Sequence, residues 1–428
     1  MTQVRFSHRR PRPWPALIWV GLSIATAACV TVTGNRPVAG LITAPDRTVS
    51  GAPSPASATV PVRLDNNRMF AALDFRRPDG GVRKAIAWVN TGGAALTLSA
   101  PLWDELGRTA PVDFEVGGMP VHVDAKAVEA IGPASLAQAA GPIPAEAYLS
   151  AGVLKNFRVT LDYANRTLTL ARPSAEPAPG IAVPIEVDPV TGLVTVEAEI
   201  DGKTWPIVID LGGGYTWLRG DVVRGWLADH PDWYRADGAV GQSNQAMVGF
   251  AFEQGGTAAR VPLIRLGDLE LHDVGVLGSS PAHASPVDRY LDGLFWRAWD
   301  ADAPVRPLGW MAGNVLRNYR VTIDYKNHVS YWLKVSEPDR TDLNSVGISL
   351  VHTTKDYIVG GLVSVHGATS VTGIQVGDRL VAIDGKDVAT ATRGDVIQAL
   401  HGAPGDRHAL TLDRKGQTVQ VDTVVTQY

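Results

Sequence analysis

Leu316-Arg317-Asn318-Tyr319-Arg320-Val321-Thr322-Ile323-Asp324-Tyr325 restates an earlier run of the chain, Leu154-Lys155-Asn156-Phe157-Arg158-Val159-Thr160-Leu161-Asp162-Tyr163. In both runs the order is hydrophobic, basic, Asn, aromatic, Arg, Val, Thr, aliphatic, Asp, Tyr. Ten matched positions in one register indicate an internal duplication. An apolar strand-and-Gly element precedes each copy: Leu149-Ser150-Ala151-Gly152 in the first half, Trp310-Met311-Ala312-Gly313 in the second. Further upstream, each half has an apolar stretch that ends in Asn or Asp and then glycines. These are Ile86-Ala87-Trp88-Val89-Asn90-Thr91-Gly92-Gly93 and Pro206-Ile207-Val208-Ile209-Asp210-Leu211-Gly212-Gly213-Gly214.

The segments around these landmarks read as short antiparallel strands. Val194 to Asp201 alternates apolar and polar residues, the period of a strand with one buried face. Asp201-Gly202 is a hairpin signal, and Trp205 to Ile209 returns as a more buried strand. The first half repeats the plan with Met69 to Phe75, a turn at Pro78-Asp79-Gly80-Gly81, and Ala85 to Val89. Two later hairpins, Phe114 to Val121 and Val248 to Val261, are candidate flaps over a cleft. Between Ser279 and Pro307, the spacing of Tyr290, Leu291, Leu294, Phe295, Trp296 and Trp299 predicts a short amphipathic helix that caps the second half or walls a site.

The order and repetition of these elements resemble the bilobal aspartic peptidases of the pepsin and retropepsin type, over roughly residues 59–335. The resemblance implies a mainly β protein with one lobe over 59–173 and a second over 182–335. It places the catalytic dyad at Asn90 and Asp210, with Thr91, Gly92 and Gly212 in the two site loops. Such enzymes use two carboxylates about 3 Å apart that share one proton, so that one is acid while the other is base. This chain departs from that pattern. Asn90 can be neither a general base nor a source of an acidic proton. Leu211 stands where the family usually has Thr or Ser, whose hydroxyl bonds across the lobe interface; Thr91 keeps that hydroxyl in the first half. Two readings follow: a peptidase-like protein whose hydrolysis is impaired, or an active aspartic endopeptidase that relies on Asp210 alone.

A third segment stands apart. Ile374-Gln375-Val376-Gly377-Asp378-Arg379-Leu380-Val381-Ala382-Ile383-Asp384-Gly385-Lys386-Asp387-Val388 resembles the Gly-Asp-containing segment of bacterial PDZ domains, which implies a PDZ-like α+β domain over 341–428. Thr392 to Leu400 is then the groove helix, and Ala409–Leu412 and Val419–Val424 are closing strands. Val346-Gly347-Ile348-Ser349-Leu350 falls at the carboxylate-binding loop of such domains, where backbone amides would hold a protein C-terminus and the next strand would pair with it.

The N-terminus has the form of an export signal over 1–28. Arg5, His8, Arg9, Arg10 and Arg12 are followed by an apolar run from Trp14 to Ala28, short of the roughly 20 residues of a membrane span. Ala27-Ala28-Cys29 resembles a bacterial lipoprotein processing site, although Thr26 replaces the usual Leu. The resemblance implies lipidation at Cys29, a membrane anchor and a place in the periplasm or cell envelope. Cys29 is the only cysteine, so no intramolecular disulfide can form. Residues 29–58 contain few large apolar side chains and are expected to be a flexible tether. Hydrophobic residues are 45% and charged residues 19%, which suits a packed core, and with a net charge of −4 nothing points to a nucleic-acid partner. No metal or cofactor signature is present: there is no HExxH, and Gly212-Gly213-Gly214 lacks the Lys of a phosphate loop. The expected partners are therefore peptides, unfolded or envelope proteins, protein C-termini at the PDZ domain, and a membrane through the anchor.

Overall fold

The computed structural model describes residues 38, 40–48, 51–238, 256–278, 290, 293–297, 299–300, 305–369 and 371–427. The proposed export signal and Cys29 lie outside the described residues, as does most of the second candidate flap.

The two repeat runs form neighbouring strands at the centre of the molecule. Arg158–Asp162 pairs antiparallel with Tyr319–Asp324, with Thr160 opposite Thr322. Each is then flanked by its own hairpin partner, Thr167–Ala171 on one side and Val329–Lys334 on the other. Ser57–Asp65 and Ile181–Pro184 add the outer strands of this central sheet. The central pair therefore marks a pseudo-two-fold axis.

Away from that axis the two halves repeat one wiring. Val82–Val89 runs parallel to Ala145–Leu149, and Lys203–Ile209 runs parallel to Gly309–Met311. A short strand crosses antiparallel to each of these partners, Leu96–Ser99 in the first half and Trp217–Leu218 in the second. A helix follows each crossing strand, Ala100–Glu105 and Gly220–Asp229. Leu161, Leu168, Ile323 and Trp332 join one continuous apolar core that runs through both halves. The predicted hairpin between Val194–Ile200 and Lys203–Ile209 is present, with Asp201 and Gly202 both at positive φ, as a tight two-residue hairpin turn requires.

Two expectations are corrected. The hairpin Val112–Val116 to Met119–Val123 is no flap. Phe114, Val116, Met119 and Val121 are all buried, and Gly117 packs so closely on Val60 that a Cβ there would lie 2.6 Å from its side chain. One face of the hairpin is packed into the core, and the other carries the half-buried Asp113, Glu115 and His122. Part of the expected tether is also packed: Ile42–Thr43 pairs with His122–Val123, Val38 and Ile42 are buried, and Arg172 donates to the carbonyls of Ala44 and Pro45. Two aliphatic side chains, a short strand pairing and one guanidinium hold this otherwise polar segment.

Within the region read as a short amphipathic helix, 293–297 and 299–300 are helical. Phe295, Trp296 and Trp299 face a cluster with Trp217 and Trp310, while Tyr290 and Leu294 stay exposed.

The C-terminal domain has a separate core, which includes Val346, Ile348, Tyr357, Leu380, Val396 and Leu410. Its sheet runs Ile348–His352, Tyr357–Leu362, Arg379–Ile383, Arg407–Arg414, Gln417–Val424. The expected helix spans Arg393–Leu400. Thr392 and Asp395 close a reciprocal capping box at its start, satisfying amides that the first helical turn leaves without partners.

Candidate functional site

The loops after the two apolar strands meet near the pseudo-two-fold, and their backbone bonds match one for one. Asn90 N donates to Leu149 O at 3.1 Å, and Asp210 N donates to Met311 O at 2.9 Å. Ala151 N donates to Gly93 O, and Gly313 N donates to Gly213 O, both at 3.0 Å. Each loop also closes a local turn: Gly92 N donates to Asn90 Oδ1, and Gly212 N to Asp210 Oδ1, both at 2.8 Å. Asn and Asp stand at equivalent positions because either side chain can accept that amide.

The interface between the loops is only half symmetric. Thr91 Oγ1 donates to Ile209 O at 3.2 Å and accepts from Leu211 N at 3.1 Å. Leu211 has no hydroxyl to return the exchange and is buried in the core. Asn90 lies against the other loop: a Cβ at Gly212 would come within 2.6 Å of the Asn90 Cγ. The Asn90 carboxamide thus rests on the residue whose amide holds Asp210. Since Gly92 N fixes Asn90 Oδ1 as the acceptor, Nδ2 is the donor end of the amide.

Asp210 is 1% exposed, and its Oδ2 has no hydrogen-bond partner. Burial disfavours the ionised form and pushes its pKa up to about 6, against the opposing pull of the Gly212 and Gly213 amides and the Thr91 hydroxyl. A carboxyl of this kind exchanges its proton near neutrality. Such a carboxyl can donate to a carbonyl when protonated or accept from an amide when ionised. Among the described residues no second carboxylate shares its proton, since Oδ2 is without a partner.

Two residues that sequence reasoning missed brace the second loop. Asn314 Oδ1 accepts from both the N–H and the hydroxyl of Thr216 at 2.8 Å, Asn314 Nδ2 donates to Gly275 O, and Thr216 Oγ1 accepts from Ala312 N. The first half has Leu96 and Gly152 at the matching positions, so this brace belongs to the Asp210 side alone. The asymmetry of the repeat was the available signal.

In the C-terminal domain, Val346, Gly347, Ile348, Ser349 and Leu350 are all buried. Gly347 has positive φ, which bends the chain into the strand that starts at Ile348. Ser349 Oγ donates to Gly238 O of the second half at 2.7 Å. Val346, Ile348 and Leu350 pack into the core of the C-terminal domain itself, while the Asn90 and Asp210 loops meet between the two halves. Among the described residues no group of three or more His, Cys, Asp or Glu side chains is placed to hold a metal, and no helix is long and apolar enough to cross a membrane.

The PDZ domain family matches residues 371–414, so the chain carries a PDZ domain, a protein-interaction module. The match spans the Gly377-Asp378 turn and the helix Arg393–Leu400. Among solved structures, basic 7S globulin from soybean aligns at 9% identity over 65% of this chain and 95% of its own, with a TM-score of 0.36. Conglutin gamma from lupine seeds aligns at 9% identity over 66% of this chain and 96% of its own, with a TM-score of 0.37. Similarity at that level carries no information about activity. A search among curated proteins finds no match.

Proposed function

We propose that the chain is a peptide-binding protein with a bilobal, aspartic-peptidase-like cleft whose hydrolysis is disabled at Asn90, coupled to a PDZ module that engages other polypeptides. One observation carries this reading. Asp210 sits as a lone buried carboxyl in a loop whose symmetry mate presents Asn90 through the same backbone bonds. Removing one member of an acid–base pair costs about 10²–10⁴-fold in rate, and more where the two act as a unit. The repeated wiring and the half-retained Thr91 exchange support descent from a two-carboxylate site. The test compares wild type with Asp210→Asn on an unfolded protein substrate between pH 3 and 8. Equal background cleavage by the two is the expected result; cleavage that disappears with Asp210 contradicts the reading.

A second reading has its own support. A carboxyl with a pKa near 6 can be protonated or ionised near neutrality, so an endopeptidase using Asp210 alone is chemically coherent. The same comparison separates the two.

The location proposed for this activity is the bacterial envelope, with the chain exported and held to a membrane by lipid on Cys29. The basic start, the short apolar run and the small residues before that cysteine support it. Cys29→Ser should release the protein from the membrane fraction; unchanged fractionation sinks the lipid anchor.

A further inference from the structure

Both ends of the PDZ groove are in contact with the rest of the chain. The groove lies between the strand Ile348–His352 and the helix Arg393–Leu400. Its direction follows from local contacts. Ser345, just before the carboxylate loop, bridges to His401 at the C-terminal end of the helix. At the other end His352 pairs with Tyr357, whose hydroxyl donates to Ala391 O just before the helix begins.

The second half packs against the first end. Ser349 donates to Gly238 O, Asp237 pairs with Ser364, and a Cβ at Gly238 would lie 2.5 Å from Leu362 O. Residues 343–350 are buried without interruption.

The first half contacts the other end through the turn Asp65-Asn66-Asn67-Arg68. Asp65 Oδ1 accepts the N–H of Gly394 at 2.6 Å, in the first turn of the groove helix. A Cβ at Gly394 would lie 2.7 Å from Asn66 N, so only glycine permits this approach. Asp65 is paired with Arg68, and both side chains are fully buried. Arg68 in turn donates to the carbonyls of Ala139 and Ala140 at the end of the helix Pro133–Ala140 and lies over the ring of Trp88. Burial would raise the Asp65 pKa, but Arg68, the Thr392 hydroxyl and the Gly394 amide outweigh it and hold the carboxyl below its ordinary value. An anion at the amino end of one helix and a cation at the carboxyl end of another both match the helix dipoles. The same turn reaches the site loop: Asn67 Nδ2 donates to Gly214 O at 3.1 Å.

We propose that docking of the PDZ domain onto the two halves is autoinhibitory: Asp65 at the helix end and Gly238 at the loop end hold the peptide groove shut, and a C-terminal peptide ligand is admitted only when these contacts release. This rests on the reading of the PDZ module as a receptor for polypeptide C-termini. A ligand that binds only the released form sees its affinity reduced by the fraction released.

The experiment measures binding of a fluorescent ten-residue peptide with a hydrophobic C-terminal residue and a free carboxylate to the full chain, to Asp65→Asn and to Gly394→Ala. The two variants weaken the same contact from opposite sides: Asp65→Asn removes the carboxylate charge at the helix end, and Gly394→Ala drives the turn away from the helix. The expected result is affinity about tenfold or more higher in both variants, with faster amide exchange across 344–352 and 393–400. Equal affinity in wild type and variants overturns the clamp while leaving the receptor reading intact. Absence of binding by all three proteins, with those amides exchanging faster in the variants, removes the receptor reading and the proposal with it. Unchanged exchange in both variants shows that the contact does not hold the groove and also overturns the proposal.

Discussion

Thr160 and Thr322 face each other across the central strand pair with their hydroxyl oxygens 2.9 Å apart. They occupy the same position of the internal repeat, so one hydrogen bond joins a residue to its own duplicate on the pseudo-two-fold axis. Substituting either threonine by valine should cost about 1 kcal/mol, the usual net value of such a bond. A double-mutant cycle in urea denaturation should return a coupling of similar size. Additive costs in the cycle show that the two hydroxyls do not depend on one another.

The raised pKa of Asp210 gives the fold a pH dependence of definite sign. The folded chain holds this proton up to about pH 6, whereas the ordinary value is 3.8. Between those values the folded state binds more protons than the unfolded one, so stability falls as pH rises. Above about pH 6 the buried charge costs on the order of 3 kcal/mol. Asp210→Asn, which can still accept from Gly212, should therefore be more stable than wild type at pH 8 and lose that advantage near pH 4. A stability difference that stays constant with pH contradicts the assignment.

Gly212 is required by the Asn90 side chain. Gly212→Ala forces a methyl group into the carboxamide and should destabilise the protein by about 1–3 kcal/mol. Shortening the obstacle with Asn90→Ala should recover part of that loss in the double variant. No recovery would show that the strain lies in the backbone of the loop.

Arg68 should be the most sensitive charged residue outside the site. Its removal as Arg68→Ala leaves Asp65 buried without its counter-ion, at a cost of about 3–5 kcal/mol. Thermal melts read the loss directly. A change within about 0.5 kcal/mol, the range of ordinary surface substitutions, contradicts the buried geometry.

Much of this architecture was legible in the chain because duplication supplies its own alignment. Two copies of the Leu-to-Tyr run identified which strands are equivalent, and the Asn90 and Asp210 loops followed from them. The Asp201-Gly202 turn was readable because backbone geometry there restricts residue choice, and the helix that begins after Thr392 followed from the PDZ resemblance. What was hidden is what one chain segment does to a distant one. Nothing local in Asp65-Asn66-Asn67-Arg68 shows that it touches Gly214 and Gly394, because each contact depends on a glycine far away in sequence. The hairpin around Gly117-Gly118 was read as a flap since glycines mark exposed turns as often as close packing. Val38 and Ile42 were lost in a stretch whose average composition is that of a linker.

The central claim is that Asn90 alone removes the proton-sharing partner of Asp210. The most direct test is the rate of cleavage of an unfolded protein substrate by Asn90→Asp at pH 3–6, set against wild type and against Asn90→Asp/Asp210→Asn. The account predicts background turnover in wild type, a rise of about 10²-fold or more in Asn90→Asp, and its complete loss in the double variant. Vigorous wild-type cleavage that depends on Asp210, or no gain at all in a folded Asn90→Asp protein, contradicts it.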